Sequence, residues 1–121
     1  MLRPLEVVWI DDQTITPPGP KMVVCIHPEN GWYYRINSKS HWRPAVKLVR
    51  IPDHMFLKWD SYLECGDPLE LDDYIIEQSL RRSGVIGSVS KVCCKEIGTA
   101  LAAARTLKDI DKQAIREALG I

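Results

Sequence analysis

The stretch Lys21-Met22-Val23-Val24-Cys25-Ile26-His27-Pro28-Glu29-Asn30-Gly31-Trp32-Tyr33-Tyr34-Arg35-Ile36-Asn37 decides the fold. Lys21 to His27 is a nearly continuous apolar run, which suits a strand buried on both faces. Pro28-Glu29-Asn30-Gly31 follows, and its Asn-Gly dipeptide favours a tight hairpin turn. Trp32 to Asn37 is the return strand. Alternation puts Trp32 and Tyr34 on one face, with Tyr33 and Arg35 on the other. An antiparallel hairpin is therefore the seed of the domain.

Upstream, Leu5 to Ile10 is rich in β-branched and aromatic residues and reads as a first strand. Asp11 to Pro20 reads as a loop, because Pro17-Pro18-Gly19-Pro20 resists regular structure. Downstream, Ser38 to Pro44 is a polar loop carrying one large aromatic. Ala45 to Ile51 is a further strand, with Val46 and Leu48 sharing a face. Pro52-Asp53-His54 turns the chain and leaves His54 on the surface. Met55–Leu57 and Ser61–Cys65 are brief strand candidates. Asp72 to Arg82 fits a strand or a helix. From Ser88 the apolar period becomes helical, through Val89, Val92, Cys93, Ile97, Ala100, Leu101 and Ala104. Ser88 or Ser90 can cap that helix. A last helix begins at Leu107 or Asp111 and ends at Leu119, with Asp109 or Asp111 as its cap and Gly120 as its stop. The expected fold is mainly β with α: five or six short strands in a partly closed barrel over residues 1–87, then a helical segment over residues 88–121 of the same single domain.

The 121 residues suit one domain, and 45% hydrophobic with 26% charged residues can build a packed core. Sixteen basic and sixteen acidic residues cancel, which argues against nonspecific coating of nucleic acid but allows a local basic patch. Charge is segregated. From Pro17 to Lys58, Lys21, Arg35, Lys39, Arg43, Lys47, Arg50 and Lys58 outnumber Glu29 and Asp53, whereas Asp60 to Glu77 holds acids and no Lys or Arg. The four cysteines, Cys25, Cys65, Cys93 and Cys94, lack a CxxC spacing and read as buried or half-buried thiols. A zinc site on Cys25, His27 and Cys65 has no ligand spacing behind it. No apolar run reaches the ~18 residues of a membrane span, and no signal-peptide core is visible, so a cytoplasmic protein is expected. Phosphate-cradling glycine loops, HExxH and GxSxG are all missing, which argues against nucleotide-dependent enzymes and Ser-His-Asp hydrolases. No cofactor or metal is expected.

The residues able to do chemistry gather in the hairpin and the loop after it: Lys21, His27, Arg35, Asn37, Ser38, Lys39, His41 and Arg43. Cations of this kind stabilise a phosphodiester, and a histidine can move its protons. Trp32, Tyr33, Tyr34 and Trp42 interleave with them, as on surfaces where bases stack. Hairpin aromatics in a small barrel are nonetheless more often core, and His27 at a strand end is more often a structural histidine. His41, in a polar loop, has no such core explanation.

The order of these features resembles the MazF/PemK/Kid family of toxin endoribonucleases. Gly19-Pro20-Lys21-Met22-Val23-Val24-Cys25 looks like that family's Arg-Pro-Ala-Val-Val strand. Asn37-Ser38 falls where its Thr-Ser pair would, and Ile86-Gly87-Ser88-Val89-Ser90, leading into the Val92–Leu101 helix, looks like its closing Ile-Gly-x-Leu-Ser element. Lys21 stands in place of the family's arginine, losing the bidentate fork, and Asn37 in place of its threonine. Leu5-Glu6-Val7-Val8 replaces the usual Gly-Asp/Glu-Ile/Val opening. The resemblance implies an SH3-like barrel of the CcdB/PemK type, a homodimer, metal-independent cleavage of single-stranded RNA, and an antitoxin protein as partner. On this reading Lys21, Ser38 and His41 are catalytic, and Asn37, Lys39, Trp42 and Arg43 bind RNA. Two other readings stand beside it: a barrel that binds RNA or protein without catalysis, and a subunit whose C-terminal helices dock a partner.

Overall fold

The computed structural model describes residues 2–41 and 43–121. The elements are β1 (Glu6–Asp12), β2 (Gly19–His27), β3 (Trp32–Asn37), β4 (Ala45–Leu48), β5 (Ser61–Glu64), β6 (Leu69–Glu70), α1 (Asp73–Arg82), β7 (Gly87–Ser88), a 3-10 turn (Lys91–Cys93), α2 (Cys94–Ala103) and α3 (Asp109–Leu119). All pairings are antiparallel, in the order β4-β5-β3-β2-β1-β7. The outer edge of β3 is shared, by β6 at Trp32–Tyr33 and by β5 at Ile36–Asn37. The sheet curls into a half-barrel: Val7 of β1, Val24 of β2, Tyr34 of β3, Val46 of β4 and Leu63 of β5 meet in one core. Ile97 and Leu101 of α2 and Ile115 of α3 fill its concave side. Val8, Ile10, Val23, Cys25 and Tyr33 form a second cluster on the other face, covered by Ile76 of α1.

The hairpin is as expected. Val23 faces Arg35 and Cys25 faces Tyr33, with a bulge before His27. Gly31 closes the turn at φ +68°, a conformation that costs a side-chain-bearing residue strain. His27 is structural: its Nδ1 accepts the Asn30 N–H at 3.1 Å and its ring lies 5.4 Å from that of Trp32. Tyr33 and Tyr34 are buried on opposite faces, in the two separate cores.

Several boundaries move. Asp11, Asp12, Gly19 and Pro20, expected in a loop, extend the β1–β2 ladder, with Asp12 opposite Gly19. Pro20 is tolerated because the pair it makes with Asp11 is one that exchanges no hydrogen bonds. Met55–Leu57 forms turns rather than a strand, and the strand after Pro44 ends at Leu48. The ambiguous 72–82 segment is a helix; Asp72 caps it, accepting the Ile75 N–H at 3.0 Å. Ser90, of the two serines, caps the next helical segment through Val92 N–H. The last helix has Lys108 at its N-cap without a side-chain bond; Asp109 and Asp111 lie in its first turn, favourable to the helix dipole. Gly120 ends it at φ +74°.

His54 is buried, not on the surface. Its Nε2 accepts the Ser90 N–H at 3.0 Å, so the proton sits on Nδ1, which donates to the Val49 carbonyl at 2.8 Å. One imidazole thus fastens the 49–60 loop to the start of the C-terminal helices. The four thiols are buried. Burial, with the negative charge of Glu6, pushes Cys25 up to about 12, and burial with Glu64 does the same to Cys65. Such thiols are inert as nucleophiles. No helix among the described residues is long and apolar enough to cross a membrane.

Candidate nucleic-acid interface

Side chains of alternate residues in β2 and β3 share the face that α1 covers, and past the helix this face becomes polar. There Lys21 lies opposite Ile10 of β1, and Arg35 opposite Val23. The 13–18 loop passes over them. Together Thr14, Thr16, Lys21, Arg35, Asn37 and Glu64 line a depression of about 580 Å³. Its floor is tightly bonded. Arg35 Nε donates to Asp12 Oδ2 at 2.8 Å, and another guanidinium N–H donates to Thr14 Oγ1 at 2.6 Å. Thr14 donates to Asp12 Oδ1 through both its hydroxyl, at 2.6 Å, and its backbone N–H, at 2.9 Å. Asn37 Nδ2 donates to Glu64 Oε2 at 3.2 Å.

These bonds set the electrostatics. Burial alone would raise the Asp12 carboxyl; the hydrogen bonds from Arg35 and Thr14 outweigh it and hold the group below its ordinary value. Lys21 is half-buried. Burial lowers its pKa, and the neighbouring Arg35 charge lowers it further, against the opposite pull of Glu64 and Asp12. The site therefore presents a partly dehydrated ammonium that lacks a direct ion pair among the described residues.

A second depression, about 280 Å³, shares Lys21 and Asn37 with the first. Ser38, Lys58, Ser61 and three aromatics, Trp9, Phe56 and Trp59, also line it, over an apolar floor that includes Met22 and Ile36. Trp59 is 58% exposed. The two depressions meet at the strand ends carrying Lys21 and Asn37, one lined by charged and polar side chains and the other by aromatic ones, and we call this junction the furrow. The 49–60 loop that carries its aromatic wall is braced by His54, by Arg50 Nε on the Leu57 carbonyl at 2.7 Å, and by Arg50 N–H on Asp60 Oδ1 at 2.8 Å.

Of the residues singled out from sequence, the structure brings Lys21, Asn37 and Ser38 together. Arg43 lines a different depression, of about 690 Å³, with Lys47, Glu96 and Arg105 against α2. Lys39 and His41 are exposed on the 38–44 loop, and Trp42 lies outside the described residues. Tyr33 and Tyr34 are core, and Trp32 is half-buried against the core, so they do not form a stacking platform. The sequence reading missed Asp12, Thr14, Glu64 and Trp59 as site residues. The aspartate's signal was present but concealed: Asp11-Asp12 precedes a proline-rich stretch and looks like solvated loop. No family model, curated protein or solved structure matches this chain.

Proposed function

We propose that this chain binds single-stranded RNA in the furrow around Lys21 and, as a divergent toxin-type endoribonuclease, cleaves it without a metal ion. The observation that carries the reading is the junction itself. Lys21 and Asn37 border both a charged depression, in which Lys21 is the cation without an ion pair among the described residues, and an aromatic one. A phosphate placed at Lys21 would let an adjacent base reach Trp59, and stacking of this kind is worth about 1–3 kcal/mol per base. In cleavage the ribose 2′-oxygen attacks phosphorus and the P–O5′ bond breaks. Lys21 stabilises the added negative charge and Ser38 hydrogen-bonds a phosphate oxygen; His41, exposed on the 38–44 loop and outside both depressions, is the group proposed to exchange the proton lost by the 2′-hydroxyl and gained by O5′. The half-barrel is, on this reading, of the SH3-like CcdB/PemK type. The protein acts in the cytoplasm as a homodimer restrained by an antitoxin. Exposed Ile51, Met55 and Val92 lie on the two segments that His54 joins and offer an apolar face for the second copy.

One observation favours the non-catalytic reading. Arg35, the second cation of the furrow, is committed to Asp12 and Thr14, and Asn37 to Glu64. The two readings separate by incubating pure protein with a fluorescent single-stranded RNA, with and without chelator. Fragments that persist with chelator support the nuclease. Bound but intact RNA leaves the binding module, and no retention at low salt overturns both. Lys21→Ala and Trp59→Ala should each weaken retention about tenfold or more.

A further inference from the structure

One edge of the sheet is only half covered. β7 spans Gly87–Ser88 and pairs with Glu6 and Val7 alone, whereas β1 continues to Asp12. The direction of the uncovered backbone groups follows from alternation. The carbonyls of Leu5 and Val7 face outward, accepting the N–H groups of Val89 and Ile86 at 2.8 Å and 2.9 Å. Trp9 and Asp11 continue that outward row, while Ile10 and Asp12 face β2. Among the described residues no hydrogen bond outside the β1–β2 ladder reaches the backbone of Trp9 or Asp11.

This edge is the wall of a groove. A space of about 600 Å³ lies between Trp9 and Asp11 on one side and Gln78, Arg81 and Arg82 of α1 on the other. Arg81 stands 4.0 Å from Glu77, with both side chains largely exposed. Arg82 makes no ion pair among the described residues. An unpaired strand edge offers main-chain hydrogen bonds to any extended segment, and the side chains beside it choose the segment.

We infer that the open edge of β1 accepts an extended acidic segment of a partner protein as an added strand, its backbone pairing with Trp9 and Asp11 and its carboxylates meeting Arg81 and Arg82. The occupant is a thin strand rather than a second copy of this chain. In a two-fold pairing of β1 edges both α1 helices would lie on the same face, so the exposed Arg81 and Arg82 of both copies would add like charge to one side of the joined sheet. The lining sets one carboxylate, Asp11, against two guanidiniums, and Arg82 has no ion pair among the described residues, so the excess charge beside the edge is positive and favours an acidic chain. The edge shares Trp9 with the aromatic depression but not Lys21, and the inference does not depend on the RNA reading.

The test uses the full chain and a labelled nine-residue peptide of alternating Glu and Val. A Lys-Val peptide serves as charge control, and a Glu-Val peptide N-methylated along one edge as hydrogen-bond control. The inference expects saturable binding of the Glu-Val peptide, about tenfold weaker for Arg81→Ala/Arg82→Ala, and little for either control. Amide exchange at Trp9 and Asp11 should slow at least about tenfold when the peptide is bound. Equal binding of the N-methylated or Lys-Val peptide would overturn it. So would unchanged exchange at these amides, or protection that appears with rising protein concentration in the absence of peptide.

Discussion

Asp12 and Lys21 lie within one polar cluster and pull stability in opposite directions. The Asp12 carboxyl has a folded pKa below its ordinary 3.8, so its contribution is complete above that value and fades as pH falls through the folded one. Asp12→Asn strips the partner from a part-buried Arg35 and should cost about 2 kcal/mol at neutral pH. Urea titrations at pH 7 and below should show that penalty shrinking in acid. Lys21 has the reverse sign. Its folded pKa is depressed, so the cost of holding its charge is complete at neutral pH, begins to fall as pH rises through the folded pKa and is gone above the ordinary 10.5. Lys21→Met should therefore raise the urea midpoint while weakening RNA retention about tenfold or more. A variant that loses both would mark Lys21 as structural. Tyr34 offers a cleaner gain: its hydroxyl is buried without a partner among the described residues, so Tyr34→Phe should stabilise by about 1 kcal/mol in the same assay.

At the scale of elements, what was legible in sequence follows from how local each signal is. The hairpin was legible because Asn30-Gly31 and the flanking apolar runs specify it without help. Gly31 is bound more tightly than its turn type requires: a Cβ there would lie 2.7 Å from the Leu71 carbonyl, which belongs to the segment entering α1. Gly31→Ala should cost about 2 kcal/mol from positive φ and crowding together, measured by thermal or urea unfolding. The helix at 73–82 was not legible from its apolar pattern, since Tyr74, Ile75, Ile76 and Leu80 satisfy both periods. The Asp72 cap and burial of Ile76 against the sheet decide it. His54 was misplaced for a related reason. Nothing near Pro52 announces that its partners will be Val49 and a serine 36 residues away. The candidate site divides the same way. Lys21, Asn37 and Ser38 come together by antiparallel register, which the sequence encodes, whereas Asp12, Glu64 and Trp59 arrive from other strands and loops.

On the scale of the whole molecule, a formal charge of zero conceals a division of labour. The furrow concentrates Lys21 and Lys58, while Asp72, Asp73 and Glu77 of the acidic segment sit in or beside α1. RNA affinity should then rest on few phosphate contacts. With two lysines engaged, the logarithm of the binding constant should fall against the logarithm of salt with a slope of about −1.4, and Lys21→Ala should reduce it by roughly 0.7. Titrations from low to physiological potassium chloride measure this directly. A slope unchanged by the substitution would remove Lys21 from the phosphate path.

The bond between His54 and Ser90 has a consequence in time. The loop bearing Lys58 and Trp59 is pinned by a backbone N–H far downstream, and the core beneath it is closed by Ile97, Leu101 and Ile115. A chain emerging from the ribosome thus carries Lys21 and Asn37 long before it can assemble the wall opposite them. Assembly is thereby ordered: the junction at Lys21 is completed only after the segment through Ile115 has left the ribosome, so an amino-terminal fragment carrying Lys21 and Asn37 alone lacks its finished wall.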